Sequence, residues 1–170
     1  MDLFSYLLGK KKGGGGSSGL DWSAIGYSNE PQVIQNGYNY AKQIYDNWDS
    51  TQTNLRYKYQ YNNNLIYMPF VDTSNVTRVD YMFGGCSWLQ YIPVLDLSNV
   101  TYMSSMFTSC TSLSLEAINN ILQMCAGATS YTGTKTLVYL GFSQTYYAKA
   151  SIQALPSYQD FIDAGWTIGY

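Results

Sequence analysis

At 170 residues, 46% of them hydrophobic, the chain has room for one compact domain with its own core. Nine basic against eleven acidic residues give a net charge of −2, which leaves no electrostatic footprint for nucleic acid. There is no histidine, so the commonest general base, the usual catalytic triads and most zinc sites are ruled out.

Residues 1–9 form a small apolar peptide in which Leu3, Phe4, Leu7 and Leu8 share one side of a short helix. Such a segment is too short to hold a helix alone in water. Residues 10–19 are a Lys/Gly/Ser tether with the composition of a flexible linker, and Lys10, Lys11 and Lys12 form its only basic run. The plain reading is a ragged terminus. The dense apolar cluster ahead of the glycines favours a docking peptide on a leash, one that orders against another protein. No export signal is expected, because positive charge should precede the apolar stretch and here it follows. No run approaches the ~18 apolar residues of a membrane span, so no membrane insertion is expected.

Residues 20–64 are expected to form a helical N-terminal cap. Ser28, Asn29, Glu30 and Pro31 make a helix start. From there Ile34, Tyr38, Ala41, Tyr45 and Trp48 predict a helix of about 18 residues with one apolar stripe. Beyond it Tyr57, Tyr59 and Tyr61 alternate with Arg56, Lys58 and Gln60, which predicts a segment with one face of tyrosine.

Residues 65–113 hold two copies of one sentence. LIYMPFVDTSNVTRVDYMFGGCSW is followed without a gap by LQYIPVLDLSNVTYMSSMFTSCTS, and Leu113 opens a third copy that soon degenerates. Self-similarity at this period marks a strand-plus-return repeat. Residues 67–71 and 91–95 predict short strands, interrupted by Pro69 and Pro93. The Asp-x-Ser-Asn-Val-Thr clusters predict helix caps. Val76, Val79, Met82 and Phe83, matched by Val100, Met103, Met106 and Phe107, predict a core-facing helix of two to three turns behind each cap. The expected structural core is Val76, Met82, Phe83, Cys86, Val100, Met106, Phe107 and Cys110. The implied architecture is an α/β, short leucine-rich-repeat-like solenoid of 24-residue strand–helix repeats, with a helical cap before it and an α/β cap after it.

The pattern Asp-x-Ser-Asn-Val-Thr-x-(Val/Met)-x-x-Met-Phe-x-x-Cys-x-x-Leu resembles the repeat of the BspA-like leucine-rich-repeat surface proteins, found in bacteria and in phages that infect them. The closing segment, from Thr136-Leu137 to Ala164-Gly165-Trp166-Thr167, is similar to the way such proteins end. The opening, MDLFSYLLGKKKGGGGSSGLDWSAIGY, looks like the start of virion proteins in tailed phages of gut bacteria. The resemblance implies a repeat fold and surface recognition, and it supplies no catalytic residues.

Residues 114–170 are expected to cap the other end. Ser114 should cap a helix carrying Leu115, Ile118, Ile121, Leu122 and Cys125 and ending at Gly127. Residues 137–140 predict a strand in sheet with the repeats. Ser143 should start a helix through Ala154 that Pro156 breaks. A short helix over 157–164 ends at Gly165, and 166–170 predict a final strand.

No catalytic constellation stands out, and no cofactor or metal is expected. Asp72 and Asp96 occupy equivalent positions roughly one strand spacing (~5 Å) apart. A carboxylate pair or a calcium site with Asn75 and Asn99 is conceivable there, but turn-stabilising side chains are the stronger reading. Cys86, Cys110 and Cys125 read as buried free thiols. What remains is a surplus of stiff, amphipathic contact residues: eighteen tyrosines and four tryptophans. Tyr57, Tyr59, Tyr61, Tyr81 and Tyr102 are the candidate binding surface. The expected function is a non-enzymatic phage virion or fibre protein. Residues 1–9 would dock on other virion proteins while the repeat domain binds a bacterial surface glycan or protein, with homo-oligomers unsurprising. The alternative is a leucine-rich-repeat adhesin on a bacterial cell surface.

Overall fold

The computed structural model describes residues 32–138 and 147–169. The docking peptide, the linker, the start of the predicted N-terminal helix, residues 139–146 and Tyr170 lie outside the described residues. The elements in chain order are α1 (Gln32–Asp46), α2 (Leu115–Gly127), β1 (Thr136–Val138), α3 (Lys149–Gln153), α4 (Tyr158–Asp163) and β2 (Thr167–Gly169). Between α1 and α2 the chain is irregular by secondary-structure criteria, yet it repeats itself in space.

Three segments, 54–61, 78–85 and 102–109, lie side by side in parallel, joined at the bridges Asn54–Arg78 and Arg78–Tyr102. The amides of Leu55, Tyr57, Tyr59 and Tyr61 donate to the carbonyls of Arg78, Asp80, Met82 and Gly84. Those of Val79, Tyr81, Phe83 and Gly85 donate in the same order to Tyr102, Ser104, Met106 and Thr108, all eight at 2.7–3.1 Å. The amides in between turn back within their own segment: Lys58 to Leu55, Gln60 to Tyr57, Met82 to Val79, Gly84 to Tyr81 and Cys86 to Phe83. Odd residues therefore tie one unit to the next while even residues close local turns.

This corrects the expected helices at 76–83 and 100–107. A helix sends every N–H to the carbonyl four residues back, whereas here alternate N–H groups are committed to the neighbouring unit. Backbone φ is also positive at Tyr57, Tyr81 and Ser105 and again at Tyr61, Gly85 and Ser109, two sets of three equivalent positions that no α-helix accommodates. The hydrophobic spacing misled because a chain reversing every three to four residues buries the same positions as a helix would. The strands, too, shrink to one bridge, Tyr67–Tyr91. Pro69 and Pro93, which lack N–H groups, stop the pairing there.

The residues expected in the core are buried: Val76, Met82, Phe83, Cys86, Val100, Met106, Phe107 and Cys110. Phe83 stacks on Phe107 at 5.4 Å between centroids, and Tyr59 continues the column onto Phe83 at 5.8 Å. Helix α1 lays Tyr38 and Ala41 against Ile66, Tyr67 and Tyr91, so it runs across two units instead of covering only the first. Its backbone approaches so closely that a Cβ on Gly37 would stand 2.9 Å from Ile66, which explains a glycine in mid-helix. Trp48 lies beyond the end of α1 and donates its indole N–H to the carbonyl of Asp72 at 2.8 Å.

Helix α2 begins where the sequence places it. Ser114 accepts a hydrogen bond from the Ala117 amide at 3.1 Å, and Ile118, Ile121, Leu122 and Cys125 are buried. Strand β1 pairs in parallel with β2, not with the repeats as expected, in the register Thr136–Thr167 to Val138–Gly169. The two strands bracket α3 and α4, with Gly165 at φ +85° turning the chain out of α4 into β2.

Truncating Phe83 or Phe107 to Ala should each cost about 3–5 kcal/mol in urea unfolding. Because the rings touch, the double variant should depart from additivity. A near-neutral result at either position contradicts the register.

Candidate functional site

The parallel stacking places equivalent residues in columns, and three columns on one face carry aromatic and charged groups, all exposed or half-buried except Asp80, which is buried. Asn54, Arg78 and Tyr102 form the first, Arg56, Asp80 and Ser104 the second, and Tyr57, Tyr81 and Ser105 the third. Tyr57 and Tyr81 lie ring to ring at 5.4 Å. The Arg56 guanidinium sits 4.4 Å from the Tyr57 ring centroid and donates to its hydroxyl at 2.6 Å. Arg78 covers the Tyr102 ring at 4.8 Å while donating to the Asp80 carboxylate at 2.6 Å. Tyr102 is 57% exposed and Tyr57 42%, and Tyr81 is half-buried. Stacked arginine–tyrosine pairs of this kind are pre-ordered, so little side-chain freedom remains to be lost on contact.

The predicted all-tyrosine face on 57–61 is corrected. Tyr59 points into the core at 7% exposure, whereas Tyr57 and Tyr61 are exposed. Alternation in sequence did not give one face because φ is positive at both Tyr57 and Tyr61. Tyr61, at 73% exposure, lies flat over Gly85, where an added Cβ would come within 2.3 Å of its ring. Sequence reasoning passed over two further exposed aromatics, Trp88 at 51% and Phe70 at 40%. Trp88 sits where the other units carry Asn64 and Ser112, a mismatch visible in the repeat alignment.

The aspartates serve turns. Asp72 accepts from the amide and hydroxyl of Ser74, and Asp96 accepts from the Ser98 amide at 2.9 Å. The expected role as helix caps is corrected, since no helix follows either one. Asn75 and Asn99 reach back to the carbonyls of Ser50 and Ser74 and so tie each unit to the one before. Asp49 repeats the turn with Thr51, whose hydrogen bonds hold the carboxyl below its ordinary range. Among the described residues no group of three His, Cys, Asp or Glu side chains converges as a metal site.

Cys86 and Cys110 form a second internal column. Their thiols donate to the carbonyls of Tyr59 and Phe83, at 2.9 and 3.1 Å. All three cysteines are free and buried. Burial pushes the Cys86 thiol up to about 11 and raises Cys110 and Cys125 as well, so none is a nucleophile near neutrality. Burial also raises the phenols of Tyr59 and Tyr91. A raised folded-state value means the folded chain keeps protons that the unfolded chain releases once pH passes the ordinary thiol value of 9.0. The urea midpoint should therefore be level from about pH 6 to 8 and fall progressively above about pH 9. Iodoacetamide should label the thiols only on unfolding, and rapid labelling of the folded chain would contradict this burial.

No described helix is long and apolar enough to cross a membrane. No curated protein and no solved structure matches the chain. One family profile does match, over residues 31–134, and its span takes in α1, all three ladder segments and α2. That is more than half of the sequence, and the chain belongs to the family described as Mycoplasma protein of unknown function, DUF285.

Proposed function

We propose that the chain is a non-enzymatic virion structural or fibre protein whose repeat region is a short BspA-like, leucine-rich-repeat solenoid. It is anchored through residues 1–9 and displays the aromatic columns to a bacterial surface glycan or protein. The observation that carries the reading is the pre-ordered arginine–tyrosine surface of Arg56, Tyr57, Arg78, Tyr81 and Tyr102, borne on a backbone-locked stack. Aromatic and arginine side chains dominate binding energy where surfaces meet, and many copies on one particle would multiply a modest affinity per site. The apolar peptide and glycine tether of residues 1–19 support the anchoring role. An adhesin on a bacterial cell surface is the second reading, favoured by the family's own description, which names a bacterium.

Substituting Tyr57, Tyr81 and Tyr102 with Ser should weaken retention of the protein on bacterial cells or extracted surface glycans by at least about tenfold. The fold should survive, because Ser105 already occupies the position equivalent to Tyr57 and Tyr81, at φ 56°. Undiminished retention sinks this surface as the binding site, and glycan cleavage by the purified protein sinks the non-enzymatic reading.

Deleting residues 1–19 should leave unfolding free energy within about 1 kcal/mol and abolish incorporation into particles. Loss of cooperative folding on that deletion contradicts the anchoring role.

A further inference from the structure

The unit-to-unit ladder has a polarity, and its last rung faces a groove. In the first two segments the odd-numbered amides all donate towards the following unit. Among the corresponding donors of the third segment are the amides of Met103, Ser105 and Phe107, and no described residue accepts from them. All three residues line a groove of about 650 Å³ that runs between the third segment and the stretch from Tyr131 to Leu137, with Trp166 in its wall. The size is that of a ligand cleft. Trp166 is 2% exposed and stacks on Tyr131 at 5.5 Å, and its buried indole N–H has no acceptor among the described residues. A buried donor without a partner is uncommon and costly. Among the described residues, then, an unpaired indole donor and three unpaired amide donors border one groove.

We propose that this groove binds a polypeptide segment of a partner protein, which turns as the stack's own segments do and adds to the stack as the next rung. Alternate carbonyls of the segment would accept from the amides of Met103, Ser105 and Phe107, and Trp166 would supply a fourth donor. The periodicity of the donors selects a polypeptide. Three amides at every second residue match the alternate carbonyls of a peptide chain, and in both preceding junctions the same row of amides receives such carbonyls. The walls add aromatic faces from Phe107 and Tyr131 and hydroxyls from Thr132 and Thr134, with no charged side chain among the lining residues. The segment that fits is accordingly neutral, with apolar and small polar side chains. This proposal is independent of where the protein is displayed, and the groove adjoins the surface columns at their last members, Tyr102, Ser104 and Ser105.

The test uses the isotope-labelled full chain and a blocked synthetic peptide with the uncharged sequence of residues 101–109, whose carbonyls serve the second junction in the same way. Saturating peptide should slow hydrogen exchange at the Met103, Ser105 and Phe107 amides at least tenfold and shift the Trp166 indole resonance. The Trp166→Phe variant, which keeps the ring stack and removes the donor, should bind the peptide roughly three- to tenfold more weakly. Unchanged exchange at those three amides overturns the proposal. So does protection by a tetramer of N-acetylglucosamine without protection by peptide, which assigns the groove to glycan. Protection that instead grows with protein concentration in the absence of peptide also overturns it, in favour of a second copy of this chain.

Discussion

The division of labour between odd and even amides is the constraint on which the described structure depends. Odd amides reach across to the next unit and even amides close turns within their own, so each segment is both folded on itself and bonded to its neighbour. Neither half suffices alone. Local turns without the cross-links would have the marginal stability of isolated short structure, and the cross-links need the positive φ at Tyr57, Tyr81 and Ser105 to keep alternate amides pointing outward. A tyrosine in left-handed backbone costs of order 1 kcal/mol. The ladder and the stacked column of Tyr59, Phe83 and Phe107 offset that strain.

Because register is fixed by the backbone, side-chain chemistry becomes positional. A residue at one place in the unit stands next to its equivalent in the unit beside it, so a column can be varied without disturbing the columns around it. The inward columns are kept apolar, in Tyr59, Phe83 and Phe107 and in the thiols of Cys86 and Cys110. The outward columns vary freely, from Tyr57 and Tyr81 to Ser105 and from Asn54 to Arg78 to Tyr102. A framework of this kind suits recognition, where contact residues must change while the scaffold stays put.

Much of this was legible in the sequence, and the misses have identifiable causes. Ser114, Gly127 and the apolar positions between them defined α2 because local capping chemistry acts there without competition. The core positions from Val76 to Cys110 were legible because burial repeats with the sequence. The turns of 76–83 were not, since their apolar spacing is also that of a helix and the deciding bonds run to residues 24 positions away, as in the reach of Thr77 to Thr53. The first unit was hidden for a different reason. It lacks the Asp-x-Ser-Asn-Val-Thr motif, and its turn, built on Asp49 and Thr51, is displaced by one residue from the repeat frame. That displacement also concealed Tyr59 as the equivalent of Phe83. The groove beside Trp166 left no local signal, because it lies where the third segment's amides find no acceptor among the described residues.

Scalar couplings transmitted across hydrogen bonds in the labelled protein would test the alternating ladder most directly, since they identify donor and acceptor by name. The ladder predicts couplings from the Tyr59 amide to the Met82 carbonyl and from the Phe83 amide to the Met106 carbonyl, while the Met82 amide couples to Val79. Couplings from Phe83 and Phe107 to carbonyls four residues earlier would mean helical repeats, and would contradict both the ladder and the surface columns built on it.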